Sequence, residues 1–359
     1  MRTTAFARAA TVLLCVFAAA PLVAQQNFTL PVVVGNMVDT TFPFGGPRMR
    51  YQQWYSPIDW FQRVQQPVRV TNLQFRAGPT GGAVAGRQVE IEVTMGNSSP
   101  VNPTSSFEAN FVSGRVTVFP RAFVTLPQSI PGNWPVSLAF TNEFVWDGVS
   151  GVILEIKLWN NGNNNNSWTY NLAYDAAGGG SVYRMWDATN GPTSNFAQFF
   201  AAGQGLITRF NYANALSMPY GTGCAGEGGF IPVASTTGGH PVPGNSNWTH
   251  VLTNAPSQRQ ALFFMGFSAT QWGSFSLPLD LSSIGAPGCN LLAEYVAGVT
   301  IPTVGGGPGA GIAQLRLPTP PTTNWVGVML FSQWLVLDPN ASNGLLAASN
   351  GVWTQTAMN

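Results

Sequence analysis

Val89-Glu90-Ile91-Glu92-Val93-Thr94-Met95 alternates strictly between apolar and polar side chains. A strand sends successive side chains to opposite faces, so Val89, Ile91, Val93 and Met95 make a dry face, and Glu90, Glu92 and Thr94 a wet one. The same period of two runs through residues 136–140 and 152–159, where Val152, Leu154, Ile156 and Leu158 stand opposite Glu155 and Lys157. It returns over 206–212, and helical periodicity does not recur. Along 68–75 the apolar phase slips by one residue, which predicts a β-bulge near Thr71-Asn72. Ala77-Gly78-Pro79, Gly81-Gly82, Ser98-Ser99-Pro100, Pro131-Gly132-Asn133 and Gly178-Gly179-Gly180 punctuate these runs at the spacing of sandwiches rather than βαβ units. Residues 160–166 are asparagine apart from Gly162, the composition of a hairpin tip or exposed loop. The expected fold class is all-β, with antiparallel, jelly-roll-like sandwiches.

Composition supports this. Charged residues are 8% of the chain, against about 25% in ordinary globular proteins. Solubility therefore falls to Asn, Ser, Thr and Gln on the outer faces of sheets, and 40 glycines with 27 prolines disfavour long helices. Beyond residue 24 the chain carries 13 basic and 14 acidic side chains, with Lys157 the single lysine and the arginines scattered. That distribution excludes the clustered basic face by which nucleic acid is bound.

The first 24 residues read as an export signal: Arg2 and Arg8, an apolar run over 9–20, then Pro21-Leu22-Val23-Ala24 ending in a cleavable small residue. The run falls short of the roughly 20 residues that span a bilayer, and no membrane span is expected downstream. Leu14 before Cys15 argues against lipid attachment. Export to an oxidising compartment, to be secreted or held at the cell surface, makes the two retained cysteines, Cys224 and Cys289, one disulfide. A metal site is not expected of them, since neither lies in a Cys-x-x-Cys pair and only His240 and His250 could add nitrogen ligands. The roughly 335 residues after the signal exceed what one core usually organises. The pattern lapses near 213–219, so two domains are expected, 27–213 and 216–359, the second holding the disulfide. Its strands are expected at 248–253, 260–267, 291–296, 312–317 and 326–337, the last buried on both faces.

Several spaced blocks carry a resemblance: Tyr220-Gly221-Thr222-Gly223-Cys224, Gly266-Phe267-Ser268 with Trp272-Gly273, Leu277-Pro278-Leu279-Asp280, Gly285-Ala286-Pro287-Gly288-Cys289, and Gln333-Trp334-Leu335-Val336-Leu337-Asp338-Pro339 with Ala348-Ser349-Asn350. Together, over about 140 residues, they resemble a C-terminal module of secreted proteins from planctomycete-type bacteria. The resemblance implies a β-rich tail on exported proteins of varied content and brings no activity to any residue. The first half, with Arg50-Tyr51-Gln52-Gln53 and Phe144-Val145-Trp146-Asp147-Gly148, more loosely resembles exported sandwich domains.

Catalytic devices are sparse. No Gly-x-Ser-x-Gly elbow occurs, and Gly305-Gly306-Gly307-Pro308-Gly309-Ala310-Gly311 lacks the Lys-Ser/Thr of a phosphate loop. Glu90 and Glu92 leave one strand face together, and with Asp147 they are the carboxylates a glycan hydrolase would draw on; the same spacing also belongs to any solvated strand face. No cofactor is expected beyond a structural calcium ion, for which Asp280 and Asp338-Pro339-Asn340 offer oxygens. The aromatics are the main binding candidates, because a saccharide stacks on flat rings and hydrogen-bonds to amides. Trp54, Tyr55 and Trp60 form the expected ligand-binding set; Trp159, Trp168 and Tyr170 flank the Asn-rich tip as a second cluster, and core packing is the competing reading for both. The expectation is a secreted, non-enzymatic protein of the cell surface or extracellular matrix that binds polysaccharide or surface proteins. A secreted glycan hydrolase and a self-assembling surface-layer component are the alternatives.

Overall fold

The computed structural model describes residues 26–31, 36–80, 87–99, 101–176, 181–214 and 216–358. The expected export signal and the turns Gly81-Gly82 and Gly178-Gly179-Gly180 lie outside the described residues. Those residues are all-β and the named sheets are antiparallel throughout; the one α-helix among them is Pro57–Phe61.

A four-stranded sheet runs in the order Gln26–Leu30, Thr208–Ala213, Val68–Phe75, Val136–Trp146. A six-stranded sheet runs Phe199–Ala202, Val182–Asp187, Met49–Tyr55, Gly151–Asn160, Arg87–Ser98, Ser113–Leu126. One apolar cluster draws on both sheets: Ile91, Val93, Leu154 and Ile156 from the larger, Leu73, Phe75 and Phe210 from the smaller. Tyr55 meets Phe210 edge-on across the gap at 5.3 Å. The alternation read from the sequence is thus the cause of the layering, since each strand turns its apolar side chains toward the other sheet. The bulge occurs where the phase slips: against Thr208–Ala213 pairing jumps from Val70 to Asn72 and leaves Thr71 as the extra residue, while against Val136–Trp146 the same step runs from Phe144 to Ala139.

One expected strand divides. Leu206 pairs with Tyr174 in a three-stranded sheet of Gly205–Leu206, Leu172–Asp175 and Met37–Thr40, while Thr208 pairs with Phe75. Ile207 is the corner; its N–H donates to Ala173 and its carbonyl accepts from Arg76.

From residue 216 onward the strands pair only among themselves within the described residues. The larger sheet has Met329–Leu337 at its centre, between Gly351–Gln355 and Gln260–Gly266, with Leu216–Tyr220 and Ala297–Pro302 at the edges and Leu346–Ala348 also paired to the centre. Phe263, Trp334 and Val336 face a smaller sheet of Val233–Thr237, Thr249–Ala255 and Gly311–Arg316, packing on Leu252 and Ala313. Their neighbours Phe264, Phe331 and Leu335 point the other way, onto a layer with Leu281, Ala286 and the bonded Cys224 and Cys289, whose Cα atoms are 5.0 Å apart. The central strand is therefore covered on both faces, as its continuous apolar run requires. Of the strand expected over 291–296 only Leu291 is in one, the two-residue Asn290–Leu291 paired with Leu279–Asp280. Beyond it side chains take the place of a ladder: Leu292 N–H donates to Gln333 Oε1 and its carbonyl accepts from the Tyr220 hydroxyl.

Candidate functional site

Met49–Tyr55 is buried along its whole length, and Trp54, Tyr55 and Trp60 are at most 2% exposed. Two-sided burial explains this. On the inner face the Tyr51 hydroxyl donates to Gln53 Oε1 (2.8 Å), Gln53 Nε2 donates to the Tyr55 hydroxyl (2.7 Å), and Gln53 also brackets the Leu206 backbone. On the outer face Trp54 packs against Tyr183, and its Nε1 donates to the Ser99 carbonyl. Trp60 sits among Phe28, Trp146 and Phe210, with ring centroids within 5.3 Å. The three rings are core side chains and present no open face, so a ligand platform has to be found elsewhere.

The carboxylates do not converge either. Glu90 holds Arg121 through two hydrogen bonds, Glu92 lies 3.3 Å from Lys157, and Asp147 caps its own turn at Val149, Ser150 and the Ser150 hydroxyl. Asp280 accepts from Ser282, and Asp338 from the backbones of Glu227 and Asn340. Among the described residues no three His, Cys, Asp or Glu side chains gather. His240 binds Glu143 of the other strand set at 2.9 Å. His250 is packed between Trp248 and Phe263, and burial pushes its imidazole down to about 3.

The sequence marks a different surface, the wet face of the six-stranded sheet. Glu92, Lys157, Arg50 and Asp187 lie side by side across four strands in register. Arg50, itself buried, reaches three segments: Nε to Glu155 (2.8 Å), Nη2 to Glu108 (2.6 Å) and Nη1 to the Ser194 carbonyl (2.8 Å). Arg115 also holds Glu108, and both Arg115 and Lys157 lie 3.8 Å from Glu155. Three cations thus balance Glu92, Glu108 and Glu155. The hydrogen bond from Arg115, joined by that from Arg50, holds the Glu108 carboxyl down at about 2.

Asp187 shapes the adjoining loop. Its carboxylate accepts from the Thr189 N–H (2.8 Å), the Asn190 N–H (3.1 Å), Asn190 Nδ2 (2.8 Å) and the Ser194 hydroxyl (2.6 Å). Burial alone would raise its pKa; these hydrogen bonds outweigh burial and hold it below the usual carboxylate range. With Arg50 gripping Ser194, residues 188–194 are fixed at both ends.

A recess opens on either side of that loop. One, of about 240 Å³, is lined by Arg48, Trp159, Asn165, Thr189, Asn190 and Thr193. The other, of about 390 Å³, is lined by Asp187, Asn190, Thr193, Asn195, Phe196 and Gln198. Asn190 and Thr193 line both, so the loop is the wall that the two neighbouring recesses share. Trp159 extends the wet face of its strand, with the Arg121 guanidinium 4.1 Å from its ring centroid. The Asn-rich tip is folded by Asn161, whose Oδ1 accepts from the backbones of Asn163 and Asn165, and Asn164 and Asn165 take positive φ. Asn165 Oδ1 in turn accepts the Arg48 N–H at 2.6 Å. The cleft offers an indole, amides, hydroxyls and a guanidinium: stacking and hydrogen bonding, with no paired acids for hydrolysis.

Trp159 was legible in the sequence as part of the second aromatic cluster; Trp168 lies under Arg87, and Tyr170 is buried. Arg48, Asn190 and Thr193 were not, and their one local signal is the turn Asn190-Gly191-Pro192. A second, apolar recess of about 200 Å³ lies among Pro241, Trp248, Leu317, Pro318, Trp325 and Leu330. The Thr319 and Thr356 hydroxyls on its wall are already donated to backbone carbonyls. Neither a protein-family model nor a curated protein matches this chain.

Proposed function

We propose that the protein is an exported, non-enzymatic binding protein whose cleft around residues 188–198 holds a saccharide of an extracellular polymer. The observation that carries this reading is the lining of the cleft: the Trp159 ring beside the amides of Asn165 and Asn190 and the hydroxyls of Thr189 and Thr193. A pyranose has an apolar face for an indole and a rim of hydroxyls for amides, and the two sets stand here within one recess. The Cys224–Cys289 bond agrees with an oxidising compartment.

The test is a glycan array on the full chain from residue 25, followed by calorimetry on the glycans retained. Trp159→Ala is expected to weaken binding about three- to tenfold, as the loss of an aromatic contact worth about 0.5–1.5 kcal/mol. Asn190→Ala is expected to weaken it as well, with unchanged circular dichroism. Retained glycans that bind both variants as tightly as the parent would remove the cleft as the site.

A further inference from the structure

The cations of the wet sheet face are each paired with a carboxylate, with one exception at its border. Arg50, Arg115 and Lys157 face Glu92, Glu108 and Glu155, and Arg121 holds Glu90. Arg48 is exposed, and among the described residues its guanidinium meets no carboxylate, carbonyl or ring. Its backbone is nevertheless fixed, by Asn165 at its N–H and by the fully buried Met49 that follows. The recess it lines contains no acid. In the neighbouring recess Asp187 is buried, with both oxygens committed to the loop. The recess around Arg48 therefore holds a cation with no acid in its own lining, beside a stacking ring.

Resting on the saccharide reading above, we propose that this recess selects an anionic sugar unit, a uronate or a sulfated sugar. Its carboxylate or sulfate sits on the Arg48 guanidinium, its ring on Trp159, and its hydroxyls reach Asn165, Asn190 and Thr193. A guanidinium presents a planar fork that matches either anion through two parallel hydrogen bonds. An exposed cation works through a field that salt screens within about 8 Å at ~0.15 M, so binding is salt-sensitive, unlike stacking.

The experiment is calorimetry of the full chain against three probes of matched length: a polyuronate, a sulfated glycan and a neutral β-glucan, at low and physiological salt. Binding of an acidic probe that weakens with salt is expected. Arg48→Gln should lower it by at least about tenfold, the loss of the charge-assisted pairing, and Arg48→Lys should restore part of it. Which acidic probe shows the Arg48-dependent binding distinguishes uronate from sulfate. Equal or tighter binding of the neutral glucan, or acidic binding that ignores Arg48→Gln, overturns the inference while Trp159-dependent binding keeps the earlier reading. Failure of all three probes overturns both.

Discussion

The middle strands of the two larger sheets are both covered on two faces, yet by opposite chemistry. Over Met49–Tyr55 the outer cover is fastened by ions: Arg50 draws the segment of Glu108 and the loop of Ser194 down onto Glu155. Over Met329–Leu337 it is fastened by the Cys224–Cys289 bond and by Leu281, Ala286 and Leu291 on Phe264. One polar side chain intrudes there, Gln333, and its amide is satisfied by Leu292, Asn290 and Ser349. In a chain with 8% charged residues, nine of them gather on one sheet face and its cover: Arg50, Arg115, Arg121, Lys157, Glu90, Glu92, Glu108, Glu155 and Asp187. Charge holds a loop that must stand away from the sheet to leave a cleft, whereas apolar packing and a crosslink close a layer that encloses no polar site.

The sharpest way to break this comparison is Arg50→Ala. It leaves Glu155 buried beside a lost partner, and removing one member of a buried pair costs about 3–5 kcal/mol. Denaturant unfolding should show that loss, and saccharide binding should fall with it because Ser194 is released. Replacing both members, Arg50→Met with Glu155→Leu, should recover most of the stability without the binding. An Arg50→Ala midpoint equal to the parent's would mean that the ions hold nothing.

Next in size is the crosslink. The cysteines are 65 residues apart, and the chain-entropy treatment assigns such a loop about 4 kcal/mol, with measured bridges commonly at about 2–4. Cys224→Ala with Cys289→Ala should therefore lower stability by about that amount. Hydrogen exchange should rise over 275–293 and stay unchanged over 187–198. Exchange rising equally in both segments would show that the two covers are not independent.

How far these features could be foreseen differs in the same way. Strand alternation was fully legible at Val89 to Met95, because each of the four apolar side chains is in fact buried, and a period of two has one physical meaning. The bulge at Thr71 and the disulfide were legible for similar reasons. The burial of Trp54 was legible only as the core-packing alternative to a binding platform. Alternation places it on the outer face, and that this face is roofed by residues far along the chain, Phe107 over Arg50 and Ser99 over Trp54, is a long-range fact with no local pattern. The cleft escaped for the same cause: Arg48, Trp159, Asn165 and Asn190 come from four separated stretches, and only Trp159 stood out in composition. The break at Ile207 shows a milder case, a continuous pattern serving two sheets.

The smallest effect separates the two halves by pH. His250 lies between Trp248 and Phe263 with neither ring nitrogen hydrogen-bonded among the described residues, and burial lowers its pKa from 6.5 to about 3. Between those values the unfolded chain binds a proton that the folded chain refuses, so the stability is present above 6.5 and drains away as pH falls. The slope is about 1.4 kcal/mol per pH unit, or about 2 kcal/mol by about pH 5. Glu108 and Glu143, held at about 2, keep their contribution until the pH drops below their ordinary value of 4.5. Asp59, whose carboxyl burial raises, acts in the opposite sense and in the first strand set. Thermal unfolding from pH 7 to 5 should therefore show a falling midpoint for the parent and a nearly flat one for His250→Phe. Exchange should loosen on the strand Thr249–Ala255 before it loosens on Met49–Tyr55. A parent midpoint that does not move over this window would mean that solvent or a partner group reaches the imidazole, and the apolar half would then be no drier than the ionic one.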